Sequence, residues 1–385
     1  MEIAAVEVHS TRIATTRPHQ MAIGTTNFQE NVLVKLTTET GETGWGEAPH
    51  MVGHSQKGET PATVRVLLRD KLVPAVLGLD PLNIAQLALA MDRAVPANLR
   101  AKGAVVMAAY DLMGHATGQP VSALLGGRVR ETIPLSWSLP ITDERSLLDE
   151  AAATLERGWR ILKVKAGRPD PRDDAHVVRS LRKSVGDEIS IRVDANQAYG
   201  VKSAIRAAAE FAEAGVEFFE QPVHRYDVAA LAEVRAHSAI PIMCDESAQT
   251  PEELLAVIRA RAIDCASIYV IGAGGLQRSK QMADLVEAAN LRGYVGGALE
   301  SGLGASAGVH LAAASPAIDL GCEMSGQFLL EDALTTEPLE LRDGELVVPN
   351  GPGLGVNVDE ERIAALRVGE PEMFTHRDAR PTVPV

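Results

Sequence analysis

The feature of this sequence that most restricts its fold is a series of short apolar runs between residues 126 and 325. A stretch of helical character separates each run from the next. The runs end at Leu139, Lys165, Asp194, Glu220, Asp245, Tyr269, Glu300 and Glu323. The gaps between the middle six ends are 29, 26, 25, 24 and 31 residues, about what one strand, one helix and two loops require. Eight such units predict a (β/α)8 barrel.

A doubly wound open sheet is the second fold that this alternation could form. Its dinucleotide-binding form carries three spaced glycines. The one stretch of this kind, Gly272-Ala273-Gly274, lacks a glycine three positions after Gly274. The barrel is therefore the preferred prediction.

The residues on either side of the barrel runs have a different character. Alternating apolar and polar residues over 3–9 and 31–37 predict strands, and residues 61–125 have helical patterns. Strands followed by segregated helices indicate an α+β domain. We predict an α+β domain at residues 1–125, the barrel at 126–325, and a C-terminal segment at 326–385 that returns to the first domain.

The charge balance excludes some partners. The chain has 51 acidic and 37 basic residues, a net charge of −14, and so acidic a protein repels nucleic acid and anionic membranes. We expect neither as a partner. The three cysteines (Cys244, Cys265 and Cys322) indicate no disulfide framework, and the N-terminus lacks the basic region of a signal peptide. A cytoplasmic location is therefore expected.

Two lysines stand at the end of the second run. Lys163 and Lys165 are two residues apart, so on a strand their side chains share a face. In a barrel that face is the interior, near the rim where catalytic groups collect. Solvated lysines on a free strand edge are the alternative, but a closed barrel has no such edge.

Carboxylates end the next three runs, at Asp194, Glu220 and Asp245, and Asn196 shares a face with the first of them. Each acid alone could be an ordinary loop cap. At successive strand ends of one barrel they would repel one another unless a cation lay between them. Oxygen ligands favour Mg²⁺, for which Mn²⁺ can substitute, over Zn²⁺.

A lysine pair beside a three-carboxylate metal site indicates one type of reaction. A metal ion that binds a substrate carboxylate stabilises the enediolate formed when the α-proton leaves. Lys165 is the candidate base, and the neighbouring Lys163 cation would lower its pKa. The expected substrate is a small carboxylate.

Several motifs together resemble the enolase superfamily, muconate lactonizing enzyme subgroup. They are Lys163-x-Lys165, Asp194-x-Asn196, Glu220-Gln221-Pro222, Asp245-Glu246-Ser247, Gly44-Trp45-Gly46-Glu47-Ala48, Gly296-Gly297-Ala298-Leu299-Glu300-Ser301 and Glu323 with Gly326, Leu329 and Leu330. The resemblance covers nearly the whole chain. It implies an α/β fold, a (β/α)7β modified TIM barrel with an α+β capping domain.

The same resemblance implies functional residues and an assembly. It implies Mg²⁺ on the three carboxylates Asp194, Glu220 and Asp245, and Lys165 as an acid/base catalyst. Capping loops around residues 15–28 and 49–57 would contact the substrate. Members of the family form dimers or octamers, so a homo-oligomer is expected.

One position departs from the subgroup pattern. The subgroup usually has a second catalytic lysine at the end of its sixth strand, five residues before a Gly-Gly pair. Here the pair is Gly274-Gly275, and Tyr269 stands five residues before it. A phenol is a poor acceptor of an α-proton but a usable donor. The alternative is a packed aromatic residue in a protein whose activity is lost or altered.

This substitution resembles the cis-3-hydroxy-L-proline dehydratases of the subgroup. It implies a hydro-lyase, a carbon–oxygen lyase, in which Lys165 removes the α-proton from one ring face and Tyr269 protonates the hydroxyl leaving from the other. The product enamine would tautomerise to Δ1-pyrroline-2-carboxylate. The alternative is a racemase or epimerase of a proline derivative, a dipeptide or an N-acyl amino acid. A Schiff-base aldolase that uses Lys165, and a non-catalytic barrel that binds a small acid, also stay open.

Weaker candidates for substrate binding are Asn196, Glu323, Trp137 and Glu300. Glu323 could orient substrate or brace the eighth strand. Trp137 could cover a cationic ring nitrogen or pack in the barrel, and Glu300 could be a partner for a lysine. His19, His50 and His54 lie on the expected capping loops, where they could contact substrate or simply be exposed.

Overall fold

The structure is a computed structural model that describes residues 1–51 and 58–378. Its strands are β1 (Ile3–Met21), β2 (Gly24–Thr38), β3 (Thr43–Met51), β4 (Thr132–Pro134), β5 (Ser136–Leu139), β6 (Ile161–Lys165), β7 (Ser190–Asp194), β8 (Val216–Glu220), β9 (Ile242–Cys244), β10 (Cys265–Ile268), β11 (Arg292–Val295), β12 (Leu341–Arg342), β13 (Glu345–Val347) and β14 (Glu372–Thr375).

The α-helices described are α1 (Pro61–Leu67), α2 (Val73–Val76), α3 (Ile84–Ala94), α4 (Leu99–Thr117), α5 (Val121–Leu124), α6 (Glu144–Glu156), α7 (Pro171–Val185), α8 (Val201–Glu213), α9 (Val228–Ala236), α10 (Pro251–Arg259), α11 (Val270–Ala273), α12 (Leu276–Ala288), α13 (Gly302–Ala313), α14 (Gly326–Leu329) and α15 (Glu360–Leu366). A π-helix spans Leu68–Leu72 and a 3-10 helix spans His376–Asp378. Within the described ranges, no helix is both long enough and apolar enough to cross a membrane.

Strands β5 to β11 form one parallel sheet in which each strand pairs with the next along the chain. Cys322 stands where an eighth strand would lie, and it bridges both Leu135, just before β5, and Val295, at the end of β11. Its carbonyl accepts from the Ser136 N–H at 2.9 Å, and its N–H donates to the Pro134 carbonyl at 2.9 Å. These bonds close the sheet, so the (β/α)7β barrel is confirmed and the doubly wound sheet is wrong.

The strand register brings the polar side chains of the strand ends to one level. Lys165 pairs with Asp194, and Asp194 pairs in turn with Glu220. Side chains at paired positions of neighbouring strands point to the same face of a sheet. The carboxyl ends of β6, β7 and β8 therefore present their functional groups side by side at one rim of the barrel interior.

The capping sheet is antiparallel and has the order β14, β1, β2, β3. Strand β3 lies directly on helix α4, and the close approach needs glycine. A Cβ atom at Gly46 would stand 2.0 Å from the Ala104 carbonyl oxygen, and one at Gly44 would stand 2.3 Å from that of Ala108. The Gly-Trp-Gly-Glu motif is thus explained in part by packing.

Glu47 of the same motif joins the capping sheet to the barrel. Its carboxylate accepts hydrogen bonds from the Ser301 N–H (3.0 Å), the Ser301 hydroxyl (2.7 Å) and the Gly304 N–H (2.8 Å) at the start of α13. Burial raises the pKa of Glu47, and these donors oppose that shift. A carboxylate at a helix N-terminus also interacts favourably with the helix dipole. The capping sheet is therefore held beside the loop that follows β11.

The C-terminal segment contacts both parts of the molecule. Phe374 of β14 pairs with Val6 of β1, which extends the capping sheet. Strand β13 pairs instead with β4, next to the first barrel strand, and β12 pairs with β13. The boundaries at residues 125 and 325 stay predictions. Cys244, Cys265 and Cys322 are all buried and free, as expected from the lack of a disulfide framework.

Candidate active site

A polar cavity lies at the carboxyl ends of the barrel strands, beneath the capping sheet. The barrel contributes Ser138, Lys163, Lys165, Asp194, Asn196, Glu220, Asp245 and Glu323 to its lining. The capping domain contributes His19, Met21, Ile23 and Met51. Residues 296–299, after β11, also line it. The lysine pair and the three predicted metal ligands thus share one cavity.

The two lysines make short contacts with the carboxylates. Lys165 Nζ lies 2.6 Å from Asp194 Oδ2. Lys163 Nζ lies 2.9 Å from Glu220 Oε2, 2.5 Å from Glu323 Oε2 and 3.6 Å from Asp194 Oδ2. All of these side chains are buried. Buried charges require such pairing, since an unpaired one costs several kcal/mol.

The charge of the two lysines is set by competing effects. Burial is the largest effect on Lys165 and lowers its pKa, and the Lys163 cation adds to that lowering. The carboxylates of Asp194, Glu323 and Glu220 together outweigh both, so the pKa lies above its ordinary value. Burial also acts on Lys163, where Glu220 and Glu323 overcome it and raise the pKa well above the usual range. Lys163 lowers the pKa of Lys165 as expected, but the surrounding carboxylates leave the net shift upward.

The pKa values of the carboxylates are also set by burial and by neighbouring charges. Burial raises the pKa of Asp245 to about 8, helped by the neighbouring Glu246 and Asp194 carboxylates. Burial likewise raises the pKa of Glu220 to about 8 against the attraction of Lys163. Asp194 alone has a lowered pKa, since its two lysine neighbours overcome the effect of burial. The site thus has more buried carboxyl groups than lysines to pair with them.

The three predicted metal ligands are of the chemical type that a hard divalent cation prefers. Asp194, Glu220 and Asp245 offer oxygen ligands only, which is the preference of Mg²⁺. Asn196 Oδ1 and Glu246 Oε2 are buried at the same rim without a hydrogen-bond partner. A cation, or the water bound to one, would satisfy such oxygens.

The spacing of the three carboxylates is wider than in a preformed metal site. Among residues 1–51 and 58–378, the one group of three such ligand atoms within 4.8 Å of one another is Glu2, Glu39 and His376, which are exposed. Two of the barrel carboxylates instead pair with lysines, Glu220 with Lys163 and Asp194 with Lys165.

Tyr269 follows β10, which lies four strands from β6 and hence across the barrel. Its buried hydroxyl accepts a hydrogen bond from Arg100 Nη1 at 3.1 Å, and the guanidinium carbon lies 5.0 Å from the ring centroid. Tyr269 is not among the residues that line the cavity. Burial raises its pKa, which Arg100 partly opposes, so the phenol stays protonated at neutral pH.

The weaker substrate-binding candidates divide into two groups. Asn196 and Glu323 line the cavity, whereas Trp137 and Glu300 do not. Trp137 donates from Nε1 to Glu150 at 2.8 Å and packs edge-on against Trp159. The Glu300 carboxylate accepts from the Ala298 N–H at 3.0 Å, and burial raises its pKa to about 8.

The three predicted loop histidines also differ. His19 is buried and lines the cavity. His50 is buried outside the lining, where its Nδ1 lies 3.1 Å from the Ala48 carbonyl oxygen, and burial with the nearby Arg100 lowers its pKa to about 3. His54, and the loop residues 52–57, lie outside the described residues.

Sequence reasoning missed Ser138, Arg17 and Arg100. Ser138 pairs with Lys163 in register and lines the cavity. Its position one residue before the end of the first run, at Leu139, could have indicated it. The two arginines contact partners more than one hundred residues away, which no local pattern reveals.

Comparisons with known proteins cover both parts of the chain. Residues 3–126 match the mandelate racemase / muconate lactonizing enzyme N-terminal domain, and residues 146–362 match the enolase C-terminal domain-like family. Chloromuconate cycloisomerase CbnB of Cupriavidus necator is 35% identical over 94% of this chain and 98% of the relative. Muconate cycloisomerase 1 of Acinetobacter baylyi is 32% identical over 94% of this chain and 99% of the relative.

Solved structures of similar proteins superpose over nearly the full length. The muconate lactonizing enzyme of Pseudomonas fluorescens, complexed with muconolactone, has a TM-score of 0.93 at 33% identity, covering 96% of this chain and 100% of that one. The N-succinyl Arg/Lys racemase of Bacillus cereus has a TM-score of 0.93 at 28% identity, covering 97% and 100%. Relatives of this chain are therefore enzymes of more than one reaction type.

Proposed function

Because the chain belongs to the mandelate racemase/muconate lactonizing enzyme family of the enolase superfamily, we propose that it is a dehydratase. It removes the α-proton of a small carboxylate and eliminates a β-hydroxyl. The proposed substrate is cis-3-hydroxy-L-proline, and the product, after tautomerisation, is Δ1-pyrroline-2-carboxylate. We propose a homo-oligomer in the cytoplasm.

One observation supports the proposal: the residues on opposite sides of the barrel differ in whether they can accept or donate a proton. Lys163 and Lys165 stand on β6, and the strand across the barrel is followed by Tyr269. A lysine can take a proton from carbon, whereas a protonated phenol can only give one. Such a pair suits removal of a proton on one face and departure of a hydroxyl on the other. Racemisation, which needs a base on each face, is disfavoured.

Asp194, Glu220 and Asp245 would hold a Mg²⁺ ion, for which Mn²⁺ can substitute. The bound ion would supply positive charge beside the substrate carboxylate as its α-proton leaves. Lys163 adds a second positive charge there, since Glu220 and Glu323 keep it protonated. Lys165 serves as the base when a neutral fraction of its amine is available.

Tyr269 would donate the proton to the leaving hydroxyl. In the structure its hydroxyl accepts a hydrogen bond from Arg100. The role therefore requires the phenol to turn from Arg100 toward the cavity when substrate is present. The stereochemistry of the substrate supports the pairing, because the hydroxyl lies on the ring face opposite the α-hydrogen.

Cycloisomerisation of a muconate is the second candidate function. The observation that favours it is the 35% identity with chloromuconate cycloisomerase over 94% of this chain. Ring closure of this kind forms a C–O bond, whereas dehydration breaks one. Cycloisomerisation releases no water, so it does not need a proton donor at the position of Tyr269. The two functions therefore predict different products.

The proposed function is tested by offering four compounds with Mg²⁺ in D2O. These are cis-3-hydroxy-L-proline, its trans epimer, L-proline and cis,cis-muconate. We expect loss of water from the cis compound and little reaction of the trans epimer, measured by proton NMR. Conversion of muconate alone would replace the proposal with cycloisomerisation, and conversion of L-proline to α-deuterated D-proline would favour a racemase.

Removal of the metal is expected to lower the dehydration rate by about a hundredfold or more, since stabilisation by a metal ion contributes several kcal/mol. The measurement is turnover after chelation with EDTA and again after Mg²⁺ is restored. Asp245→Ala is expected to lower turnover equally, without rescue by Mg²⁺. Glu39→Ala, in the exposed group with Glu2 and His376, is the matched control. Full activity after exhaustive chelation would contradict the metal site.

A further inference from the structure

The imidazole ring of His19 faces the cavity, and its contacts determine which ring nitrogen carries the hydrogen. It stands on β1 just after an irregularity in the pairing with β2, between Ala14 and His19. Such irregularities redirect side chains, and the ring of His19 lines the cavity while Arg17 points toward the barrel exterior. The two side chains are in contact, with Arg17 Nη1 3.0 Å from His19 Nδ1.

This contact decides which ring nitrogen carries the proton. A guanidinium has donors only, so Nδ1 of His19 must accept. A neutral imidazole that accepts at Nδ1 carries its hydrogen on Nε2. Among the described residues, none hydrogen-bonds to Nε2, although the side chain is buried. The N–H at Nε2 is therefore available to a molecule in the cavity.

The ring is also kept neutral by its surroundings. Burial is the largest cause that lowers the pKa of His19 well below its ordinary value, and Lys165, Arg17 and Lys163 add to it. The Asp194 carboxylate opposes them without reversing the result. His19 is thus a hydrogen-bond donor that adds no charge beside the two lysines.

Arg17 is itself fixed by the barrel. Its Nε donates to Glu150 Oε1 at 2.9 Å, and its Nη2 donates to the same oxygen at 2.6 Å and to the Ser138 carbonyl at 2.7 Å. Trp137 Nε1 donates to that Glu150 oxygen at 2.8 Å. Helix α6 and strand β5 therefore set where the guanidinium can reach His19.

We propose that Arg17 is a positioning residue that holds His19 as a neutral Nε2–H donor for the substrate carboxylate. The carboxylate is the group of the substrate expected beside Lys163 and Lys165, and His19 lines the same cavity as these lysines. The inference rests on the proposed function only in taking a small carboxylate as substrate. It gives the Trp137 and Glu150 contacts a role in placing the capping strand over the cavity.

The tautomer of His19 is measured by ¹⁵N NMR of histidine-labelled protein with Mg²⁺. The signal is assigned among the 10 histidines by its loss in His19→Gln. Wild-type protein is expected to show the neutral Nε2–H form. In Arg17→Met and Arg17→Lys, His19 is expected to show a mixture of tautomers. Methionine cannot donate a hydrogen bond, and a lysine ammonium lacks the planar fork that lets Arg17 donate to Glu150, Ser138 and His19 together. Arg12→Met, on the same strand and beside Glu30, is the matched control.

Binding of L-proline tests the donor role without any need for dehydration. His19→Phe is expected to weaken this binding by about tenfold or more, the effect of losing a hydrogen bond to a charged group. His19→Gln, whose amide can reach a similar position, is expected to bind nearly as wild type. Arg17→Met should raise the dissociation constant more than it lowers turnover.

Two outcomes would overturn the inference. One is an imidazolium or an Nδ1–H tautomer in the wild-type protein. The other is an unchanged His19 signal and unchanged L-proline binding in both Arg17 variants while thermal unfolding shows them folded. If wild-type protein does not bind L-proline, the proposed substrate fails, and the tautomer measurement still decides the role of Arg17.

Discussion

Replacing Lys165 with alanine is expected to lower the dehydration rate by roughly 10²–10⁴-fold or more, the usual cost of removing a general base. Exchange of the substrate α-hydrogen with solvent should stop as well. Lys165 lines the cavity with its amine 2.6 Å from Asp194, at the level of the predicted metal ligands. The measurements are turnover of cis-3-hydroxy-L-proline and deuterium incorporation at its α-carbon in D2O.

The control for this variant must separate chemistry from folding. Lysine removal leaves the buried Asp194 carboxylate with Lys163 as its remaining cation at 3.6 Å, so some loss of stability is expected. Thermal unfolding measures that loss directly. Lys202→Ala, at an exposed position of α8, should keep full activity. Exchange at the wild-type rate in Lys165→Ala would show that another residue takes the proton.

The barrel itself could be predicted because its signal is repeated. Runs spaced by 24 to 31 residues leave few ways to connect parallel strands. Once the strands are parallel, their carboxyl ends meet at one rim, which places Lys165, Asp194 and Glu220 together. The register confirms that placement.

The direction of Trp137 could not be predicted from the same pattern. Strands of a barrel are buried on both faces, so alternation does not tell which set of residues faces the interior. In β5 the serines Ser136 and Ser138 face inward, and Trp137 packs outward against Trp159. The pairing of Ser138 with Lys163 would have settled the choice.

The contacts of Arg17 and Arg100 depend on how the capping domain sits on the barrel. Each arginine reaches a partner on a different domain, Glu150 and Tyr269 respectively. Such a contact depends on how the two domains pack, so no sequence pattern within either segment indicates it. The net shift of the Lys165 pKa could not be predicted for a related reason, because it depends on how closely carboxylates of other strands approach the amine.

Replacing Tyr269 with phenylalanine is expected to lower the dehydration rate by about 10²–10⁴-fold. Hydroxide is a poor leaving group, so protonation during C–O cleavage is needed, and the phenol is the proposed donor. Exchange of the α-hydrogen should continue, because Lys165 and the metal ligands are unchanged. Measuring both rates on one sample of cis-3-hydroxy-L-proline separates the acid from the base.

The Tyr269→Phe variant also needs a control for stability. The Tyr269 hydroxyl accepts from Arg100, so the phenylalanine variant leaves that donor with one partner fewer, at a cost of about 1–3 kcal/mol if no water replaces it. Tyr110→Phe, in buried helix α4, removes a hydroxyl without touching Arg100 and is the matched control. Thermal unfolding of both variants shows whether the fold survives.

The pattern of the two rates decides between roles for Tyr269. Slow dehydration with continued exchange supports a proton donor, because a packing defect in the site would slow both steps together. Dehydration at close to the wild-type rate would mean that the phenol never leaves Arg100 and that another group protonates the hydroxyl. The trans epimer checks the geometry independently: its hydroxyl lies on the same face as the α-hydrogen, so a donor across the barrel from Lys165 cannot reach it. Equal rates for the two epimers would therefore contradict an acid at Tyr269 even if the phenylalanine variant were slow.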